Sequence, residues 1–433
     1  MKRITTPLAI ATATLAPWPR LSHLLALALL TGLGACGGGG GGDSPASVAV
    51  AAENAAVQVA AQTQQQALVS LGQQLFNDPK LSTPAGTACA SCHQAASGFS
   101  SLHGSTLGVA AGSLPTSLGL RSPSQAAYSA AIPRFGFVTS PQGTLIPAGG
   151  QFWDGRADTL AAQALLPLLN PLEMNNADQA TVVSKVAAAP YASLFTRVFG
   201  AAALSNTNQA FNQIGQAIQA FEQSAALQAF TSKYDAMVQG KAVFSAAEQN
   251  GMALFQSPAN GCAACHRMNP ASSTPQNSPF TNHIYVVEGI PRNPQIPRNA
   301  DASFFDLGLC GPERSAPVAP VGVQIADYCG AFQVPSLRNV ALRPALMHNG
   351  FFRSLTDVVN FYSTRNSDPQ RWYGPSGIPN DLPAQYQANL ETRRPPFNHR
   401  SSNGPLLTAA QVSDVVAFLN TLTDGFLAAS TSP

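Results

Sequence analysis

Two copies of the pentapeptide Cys-x-x-Cys-His constrain this chain more than any other feature. They are Cys89-Ala90-Ser91-Cys92-His93 and Cys262-Ala263-Ala264-Cys265-His266. At this spacing two thiols can bond to the vinyl groups of one haem while the following histidine ligates its iron. With only 7 cysteines and 7 histidines among 433 residues, chance does not produce the motif twice. The sequence therefore predicts two covalently bound haem c groups, ligated by His93 and His266.

Two other uses of paired cysteines fit the sequence less well. Zinc sites usually have about 15–20 residues between their Cys-x-x-Cys knuckles, whereas these motifs lie in different halves of the chain. A thioredoxin-like dithiol needs a βαβ setting, and neither motif has one.

Of the remaining cysteines, Cys310 and Cys329 lie close together in the second half of the chain. An exported, oxidising compartment would join them in a disulfide worth ~3 kcal/mol in the chain-entropy model. Two buried free thiols are the alternative, and the compartment argument favours the disulfide.

The start of the chain reads as a bacterial export signal. Basic residues precede an apolar run at residues 24–33, which is too short to span a bilayer and fits a signal-peptide core. The run ends in Leu-Gly-Ala-Cys at Cys36, which resembles a lipoprotein signal in which the cysteine becomes lipidated. We therefore predict a signal peptide at 1–36, a flexible Gly/Ala-rich tether at 37–65, and a periplasmic protein anchored by lipid to the outer membrane. Ordinary secretion with cleavage nearby is the alternative.

The pattern between the haem motifs predicts a mainly α fold with an internal duplication. Gly-Gln-Gln-Leu-Phe at 72–76 is echoed by Gly-Met-Ala-Leu-Phe at 251–255, each just before a haem motif. We expect two tandem cytochrome-c-like helical domains with long irregular loops, one haem each, at 66–238 and 239–425, and a tail at 426–433.

Capping signals predict where two of the helices begin. Ser245 with Glu248, and Thr408 with Gln411, each have the spacing of a capping box. Gly425 is a natural stop for the last helix.

The low charge content of the chain argues against nucleic acid as a binding partner. Only 10% of the residues are charged and the formal net charge is +2, against about 25% charged residues in a typical soluble protein. Nucleic acid is therefore excluded as a partner, and the oligomeric state is left open.

Further motifs make the chain resemble the bacterial di-haem cytochrome c peroxidases and their MauG-type relatives from about residue 66 to 425. These motifs are Phe152-Trp153-Asp154-Gly155-Arg156-Ala157, Asn170-Pro171-Leu172-Glu173-Met174, Val334-Pro335-Ser336-Leu337-Arg338-Asn339 and Met347-His348-Asn349-Gly350.

The resemblance implies roles around the first haem. It places Gln163, Pro167 and Glu173 on the open face of a peroxide-reactive haem held by His93, and Trp153 between the two haems. Glu173 would move the proton needed to split peroxide. Read from spacing alone, Asn170, Pro171 and Glu173 equally fit a helix start, and Trp153 fits a core aromatic. Asp154 and Arg156 fit a structural turn with a salt bridge, or a pair that neutralises a haem propionate.

Two departures from the family pattern concern the remaining iron positions. His103 could be a distal ligand, but peroxidases that need reductive activation carry that histidine sixteen residues after the proximal one, where this chain has Val109. The resemblance also assigns His348 to the second haem site. Tyr362, fourteen residues after it, takes the place of the methionine of the peroxidases and matches the tyrosine of MauG-type enzymes. Phenolate ligation favours higher iron oxidation states; a plain core tyrosine is the alternative.

Calcium is left open, because the asparagine that helps to bind it in the family is absent near Arg121-Ser122-Pro123, and Arg343-Pro344-Ala345 also departs from the pattern. Backbone carbonyls could still supply oxygen ligands.

The resemblance implies a peroxidase that reduces hydrogen peroxide at the N-terminal haem. The C-terminal haem would pass on electrons from a small cytochrome c or cupredoxin. The alternatives are a MauG-like oxidase, which modifies a partner protein, and a di-haem electron carrier without catalysis.

Overall fold

The chain is mainly helical, as the sequence predicts, with long loops between the helices. The computed structural model describes residues 45–268, 278–399 and 404–426. Within these ranges the α-helices are α1 Pro45–Asn77, α2 Cys89–Cys92, α3 Leu160–Leu169, α4 Gln179–Ala187, α5 Ala192–Phe199, α6 Thr207–Glu222, α7 Lys233–Val238, α8 Ala246–Gln256, α9 Cys262–Cys265, α10 Leu355–Thr364, α11 Pro369–Tyr373 and α12 Ala409–Asn420. The strands are β1 Gly136–Thr139, β2 Leu145–Ala148, β3 Tyr285–Val286 and β4 Phe332–Gln333.

The first helix begins earlier than predicted. α1 starts at Pro45, so the prediction of a flexible tether is wrong for residues 45–65. Proline is favoured in the first helical turn, and the Ala- and Gln-rich residues 46–65 contain no glycine or further proline to break a helix. Residues 37–44, the signal peptide and the lipidation site Cys36 lie outside the described residues.

The helices before the two haem motifs each cross a later helix in the same way. A Cβ added to Gly72 of α1 would lie 1.9 Å from the carbonyl oxygen of Ala217 in α6. A Cβ added to Gly251 of α8 would lie 1.9 Å from the carbonyl oxygen of Asp414 in α12. Only glycine permits such close backbone approach, so the repeated glycine marks a repeated helix crossing.

An aromatic pair accompanies each crossing. The ring centres of Phe76 and Phe221 are 5.3 Å apart, and those of Phe255 and Phe418 are 5.2 Å apart. Phe76 and Phe255 are the last residues of the two echoed pentapeptides. The echo in the sequence thus corresponds to an equivalent helix pair in the structure.

A separate hydrophobic cluster surrounds each crossing. The first is built from α1, α3, α4, α5 and α6 and contacts Cys89. The second is built mainly from α8, α10 and α12 and contacts Cys262. Tyr234 of α7 also belongs to the second cluster, a few residues before the predicted domain boundary.

The predicted capping boxes are confirmed. Ser245 and Glu248 cap α8 reciprocally, and Thr408 and Gln411 cap α12. The last helix ends at Asn420 rather than at Gly425, because the chain turns at Thr421 with its backbone N–H still bonded to the last helical turn.

Short antiparallel strand pairs link the loops around the haem motifs. β1 pairs with β2, and β3 pairs with β4. A bridge between Ala148 and Ile284 joins the two pairs. Nearby, Cys310 and Cys329 are bonded to each other, in the pairing predicted from the sequence. None of the helices in the described ranges is both long and apolar enough to cross a bilayer.

Candidate functional site

The first haem motif borders a cavity that opens to solvent, here called the His93 cavity. α2 contributes Cys89 and Cys92 to its wall, and His93 follows at the end of that turn. The predicted residues Gln163, Pro167 and Glu173, which lie 70 to 80 positions further along the chain, line the same cavity. The structure therefore brings together the residues predicted for the peroxide-reactive site.

The second motif borders another cavity that opens to solvent, here called the His266 cavity. Cys262, Cys265 and His266 line it together with His348 and Tyr362. The imidazole of His348 is stacked on Phe332, with ring centres 3.5 Å apart.

Both motif histidines are oriented by a backbone carbonyl. The Nδ1 of His93 lies 3.0 Å from the carbonyl oxygen of Phe99, and the Nδ1 of His266 lies 3.1 Å from that of Phe280. Donation from Nδ1 leaves Nε2 free as a ligand atom, the arrangement that metal-binding histidines usually have. Burial lowers the pKa of both imidazoles, to about 4 for His266, and so favours the neutral form that binds metals.

Glu173 is a half-buried acid whose pKa is raised to about 7. Burial is the main cause. The guanidinium of Arg156 opposes this shift, whereas the Glu313 carboxylate adds to it. A carboxyl group that titrates near neutral pH is suited to take up and release a proton.

The helix-start interpretation of Glu173 is wrong. Residues 171–174 form turns rather than a helix. Asn170 ends α3, and its side-chain oxygen accepts a hydrogen bond from the backbone N–H of Leu172 at 2.9 Å. The pattern at Asn170 does mark a helix boundary. The asparagine lies at the end of α3 and stabilises the turn that follows, and it does not begin a new helix.

The candidate distal histidine does not border the cavity. The Nδ1 of His103 lies 2.9 Å from the carbonyl oxygen of Ala111, and His103 is absent from the cavity wall. Val109, at the position of the family's distal histidine, is fully buried and also lies away from the cavity wall.

Asp154 and Arg156 form the predicted salt bridge as part of a larger network. The fully buried Asp154 carboxylate accepts hydrogen bonds from Arg156 at 3.1 Å and from Arg121 at 2.7 Å. Arg121 also donates to both carboxylate oxygens of Asp306. Because each buried charge in this network has a partner, removal of one partner would leave an uncompensated charge beside the loop that carries Trp153.

Trp153 lines both cavities. Its ring is buried, and its Nε1 donates a hydrogen bond to the carbonyl oxygen of Ser122 at 2.8 Å. Among the described residues that line either cavity, it is the aromatic side chain shared by the two.

Tyr362 has a partner that the sequence did not reveal. Its hydroxyl donates to Oε1 of Glu288 at 2.9 Å. Burial, followed by the Glu288 charge, raises the pKa of Tyr362 well above its usual value. Glu288 also lines the His266 cavity, so a phenol and a carboxylate stand together on that wall.

Several buried polar atoms at the cavities lack a hydrogen-bond partner in the described part of the chain. They are Oγ of Ser122, the amide atoms of Gln125, Oε2 of Glu222, Nδ1 of His283 and Nε of Arg343. Burial raises the pKa of Glu222 to about 8 and lowers that of His283 to about 4, so both are largely neutral at pH 7. Glu222 could have been suspected as a carboxylate on the otherwise apolar face of α6; nothing in the sequence marked the others.

These features fit a haem in each cavity. Two thiols and an oriented imidazole stand on one wall, and the lining is mostly apolar, as a porphyrin requires. The unpartnered polar atoms around Trp153 suit the propionate groups of such a ring.

The described side chains show no calcium site. They contain no group of three or more His, Cys, Asp or Glu side chains placed to hold a metal ion. Where the resemblance puts calcium, the carbonyl oxygen of Pro123 already accepts hydrogen bonds from Ser100 at 2.7 Å and from the guanidinium of Arg343 at 3.3 Å. The buried guanidinium of Arg343, which has no ion pair among the described residues, would also repel a cation.

Removal of calcium should therefore leave the protein unchanged. We expect the absorption spectrum and thermal unfolding temperature of the purified holoprotein to be the same before and after treatment with a calcium chelator. A spectral change that is reversed by added calcium, but not by magnesium, would contradict this prediction.

Comparison with known proteins agrees with the site. The family model described as "Di-haem cytochrome c peroxidase" matches residues 66–243. The methylamine utilization protein MauG of Paracoccus denitrificans is 34% identical over 366 residues, covering 83% of this chain and 89% of that protein. Cytochrome c551 peroxidase of Pseudomonas aeruginosa is 28% identical over 295 residues, covering 67% of this chain and 69% of that protein.

A solved structure shows the same fold. The diheme peroxidase BthA from Burkholderia thailandensis superposes with a TM-score of 0.75 at 37% sequence identity, covering 82% of this chain and 86% of that one. The family implies two c-type haems and a peroxidase-type oxidoreductase activity. This chain belongs to the di-haem cytochrome c peroxidase and MauG family.

Proposed function

We propose that this protein reduces hydrogen peroxide at the His93 cavity and receives electrons through the His266 cavity. Each cavity holds one haem c, within cytochrome-c-like domains at 66–238 and 239–425. The observation that carries the proposal is the placement of Glu173, with its pKa near 7, on the wall of the cavity that His93 enters. The overall reaction consumes two electrons and two protons for each peroxide and releases two molecules of water.

When bound, haem supplies the iron that coordinates peroxide and exchanges electrons. Glu173 accepts a proton from one oxygen of hydrogen peroxide and returns it to the other, so that the O–O bond breaks with water as the leaving group. Gln163 and Pro167 shape the same wall of the cavity and orient the small substrate.

Trp153 provides the path for electrons between the cavities, because its indole borders both. His266 and Tyr362 would hold the iron of the haem in the second cavity, which His348 also lines. A small cytochrome c or a cupredoxin is the electron donor in this version of the reaction.

A MauG-like oxidase is the second candidate. Tyr362 on the wall of the His266 cavity favours it, because a phenolate ligand stabilises the higher oxidation states of iron. In this version the electrons come from side chains of a partner protein, which is left permanently modified. The 34% identity with a MauG protein supports the same reading.

A spectrum of the oxidised holoprotein tests catalysis against simple electron transport. A peroxidase of this kind should show one high-spin and one low-spin haem. Two low-spin haems, with His283 or Met174 of the His93 cavity as the extra ligand, would support an electron carrier instead. Mixing the peroxide-treated protein with a reduced cytochrome, and separately with candidate partner proteins, then distinguishes turnover from modification.

The rate constant for reaction with peroxide should rise with pH through about 7. Because burial raises the pKa of Glu173 to about 7, the carboxylate that accepts the proton is lost as the pH falls below that value. Stopped-flow measurements from about pH 5 to about pH 9 would show the rise. The Glu173→Gln variant should lack it, and a flat profile in the unmodified protein would contradict the proposed role.

We also propose that the mature protein is exported to the periplasm and tethered by lipid at Cys36 to the outer membrane. The leader-like start of the chain supports export, and the Cys310–Cys329 disulfide fits an oxidising compartment. Release of the protein into the soluble fraction by osmotic shock would count against the anchor.

A further inference from the structure

Arg343 is a buried cation without an ion-pair partner in the described part of the chain. Its side chain follows a short 3-10 turn and lines the His266 cavity. Nη2 donates to the carbonyl oxygen of Pro123 at 3.3 Å, and Nε has no partner. Burial lowers its pKa to about 10, and no nearby carboxylate offsets that shift.

Two other buried arginines each form an ion pair with a carboxylate. Arg338 forms an ion pair with Asp235 at 2.6 Å, and Arg121 forms one with Asp154 at 2.7 Å. An unpaired charge in a protein interior is costly, and it is normally compensated by a counter-ion or a ligand. The isolated guanidinium of Arg343 therefore calls for an anion that enters from the cavity.

The carboxylates already present in the His266 cavity are engaged elsewhere. Asp306 pairs with Arg121, Asp381 with Arg292, and Glu391 with Arg394, while Glu288 accepts the hydrogen bond of Tyr362. The anion must then belong to the occupant of the cavity.

We propose that Arg343 binds a propionate carboxylate of the haem attached at Cys262 and Cys265. This inference rests on the proposed haem at that site. Of the arginines that line the cavity, Arg394 already pairs with Glu391, which leaves Arg343 as the cation available to a carboxylate. A guanidinium and a carboxylate form a strong, directional pair because their donor and acceptor geometries match.

The same contact connects the propionate to Trp153. The Cζ of Arg343 lies 5.7 Å from the centre of the Trp153 ring. Arg343 thus acts as a positioning residue that holds the carboxylate next to the indole between the cavities. Its positive charge also disfavours the oxidised, more positive state of the neighbouring haem.

The test is the reduction potential of the haem in the His266 cavity, measured in the holoprotein of variants at one position. Arg343→Gln and Arg343→Met remove the charge, and each should shift the reduction equilibrium of that haem about tenfold toward the oxidised form, which is ~59 mV for a one-electron couple. Arg343→Lys keeps the charge and should restore most of the potential. Arg394→Met is the matched control, since that residue is half exposed and already paired.

Two outcomes would overturn the inference. One is a shift in Arg343→Gln no larger than that in Arg394→Met, and the other is equal shifts in the glutamine and lysine variants. Haem content and peroxide turnover are measured in the same samples. If the unmodified protein carries no haem at the second motif, the proposed function fails as well. If it carries both haems and turns over peroxide, but the reduction potential is unchanged in the Arg343 variants, only this inference fails.

Discussion

Replacement of Glu173 by glutamine should slow the reaction with hydrogen peroxide by about 10²–10⁴-fold, the usual contribution of a positioned acid or base. Glutamine has nearly the same size and polarity, but it cannot take the proton from one peroxide oxygen and deliver it to the other. Stopped-flow mixing with peroxide, followed at the high-spin haem band, measures the rate.

The substitution should leave the fold in place, because the segment is held by its backbone. The N–H of Glu173 donates to the carbonyl oxygen of Asn170 at 3.0 Å, and its own carbonyl accepts from Ser113 at 2.7 Å. Gly112 packs directly on the neighbouring carbonyl of Leu172. None of these contacts involves the Glu173 side chain.

Glu313→Gln is the matched control for this experiment. Glu313 lines the same cavity, but it forms an ion pair with Arg156 at 3.4 Å, and its side chain is 24% exposed. Measured at about pH 9, where Glu173 is ionised with or without the Glu313 charge, the peroxide rate of this control variant should change by less than about threefold. Equal rates in the Glu173 and Glu313 variants would leave Glu173 without a catalytic role.

Local signals carried most of the correct predictions about the fold. A capping box needs only four consecutive residues, so Ser245 with Glu248 could be read directly from the sequence. The haem motifs and the glycines at 72 and 251 also repeat within short segments. Where a local signal was ambiguous, as at Asn170, the sequence could not decide between the end of one helix and the start of another.

Contacts between segments that are far apart in the sequence could not be predicted from such local patterns. Glu288 and Tyr362 are 74 positions apart, and the loop of β3 and the helix α10 meet only in the folded chain. Arg343 became informative only when the folded structure showed that, among the described residues, no carboxylate forms an ion pair with it. Glu173 and Trp153 were predicted because the family resemblance supplied a tertiary arrangement that spacing alone does not contain.

Replacement of Tyr362 by methionine should raise the reduction potential of the haem in the His266 cavity by roughly 200 mV, which is on the order of a thousandfold in its reduction equilibrium. A thioether stabilises reduced iron, whereas a phenolate stabilises oxidised iron. Tyr362 lines the same cavity as Cys262, Cys265 and His266, and under the proposed function it would hold the iron of the haem bound there. Spectroelectrochemical titration of the low-spin haem measures the change.

Tyr373→Phe is the control that separates ligation from packing. Tyr373 belongs to the second hydrophobic cluster and its hydroxyl, like that of Tyr362, has a partner, donating to the carbonyl oxygen of Gly289 at 2.6 Å, but Tyr373 is not among the residues that line the His266 cavity. Loss of that hydroxyl should cost about 1 kcal/mol of unfolding free energy without moving the potential. If Tyr362→Met, like Tyr373→Phe, leaves the reduction potential unchanged, Tyr362 is a core residue, and the proposed MauG-like character of the second haem loses its structural basis. If the potential shifts only in the Tyr362 variant, the choice of iron ligand at this position is what separates this chain from a methionine-ligated peroxidase.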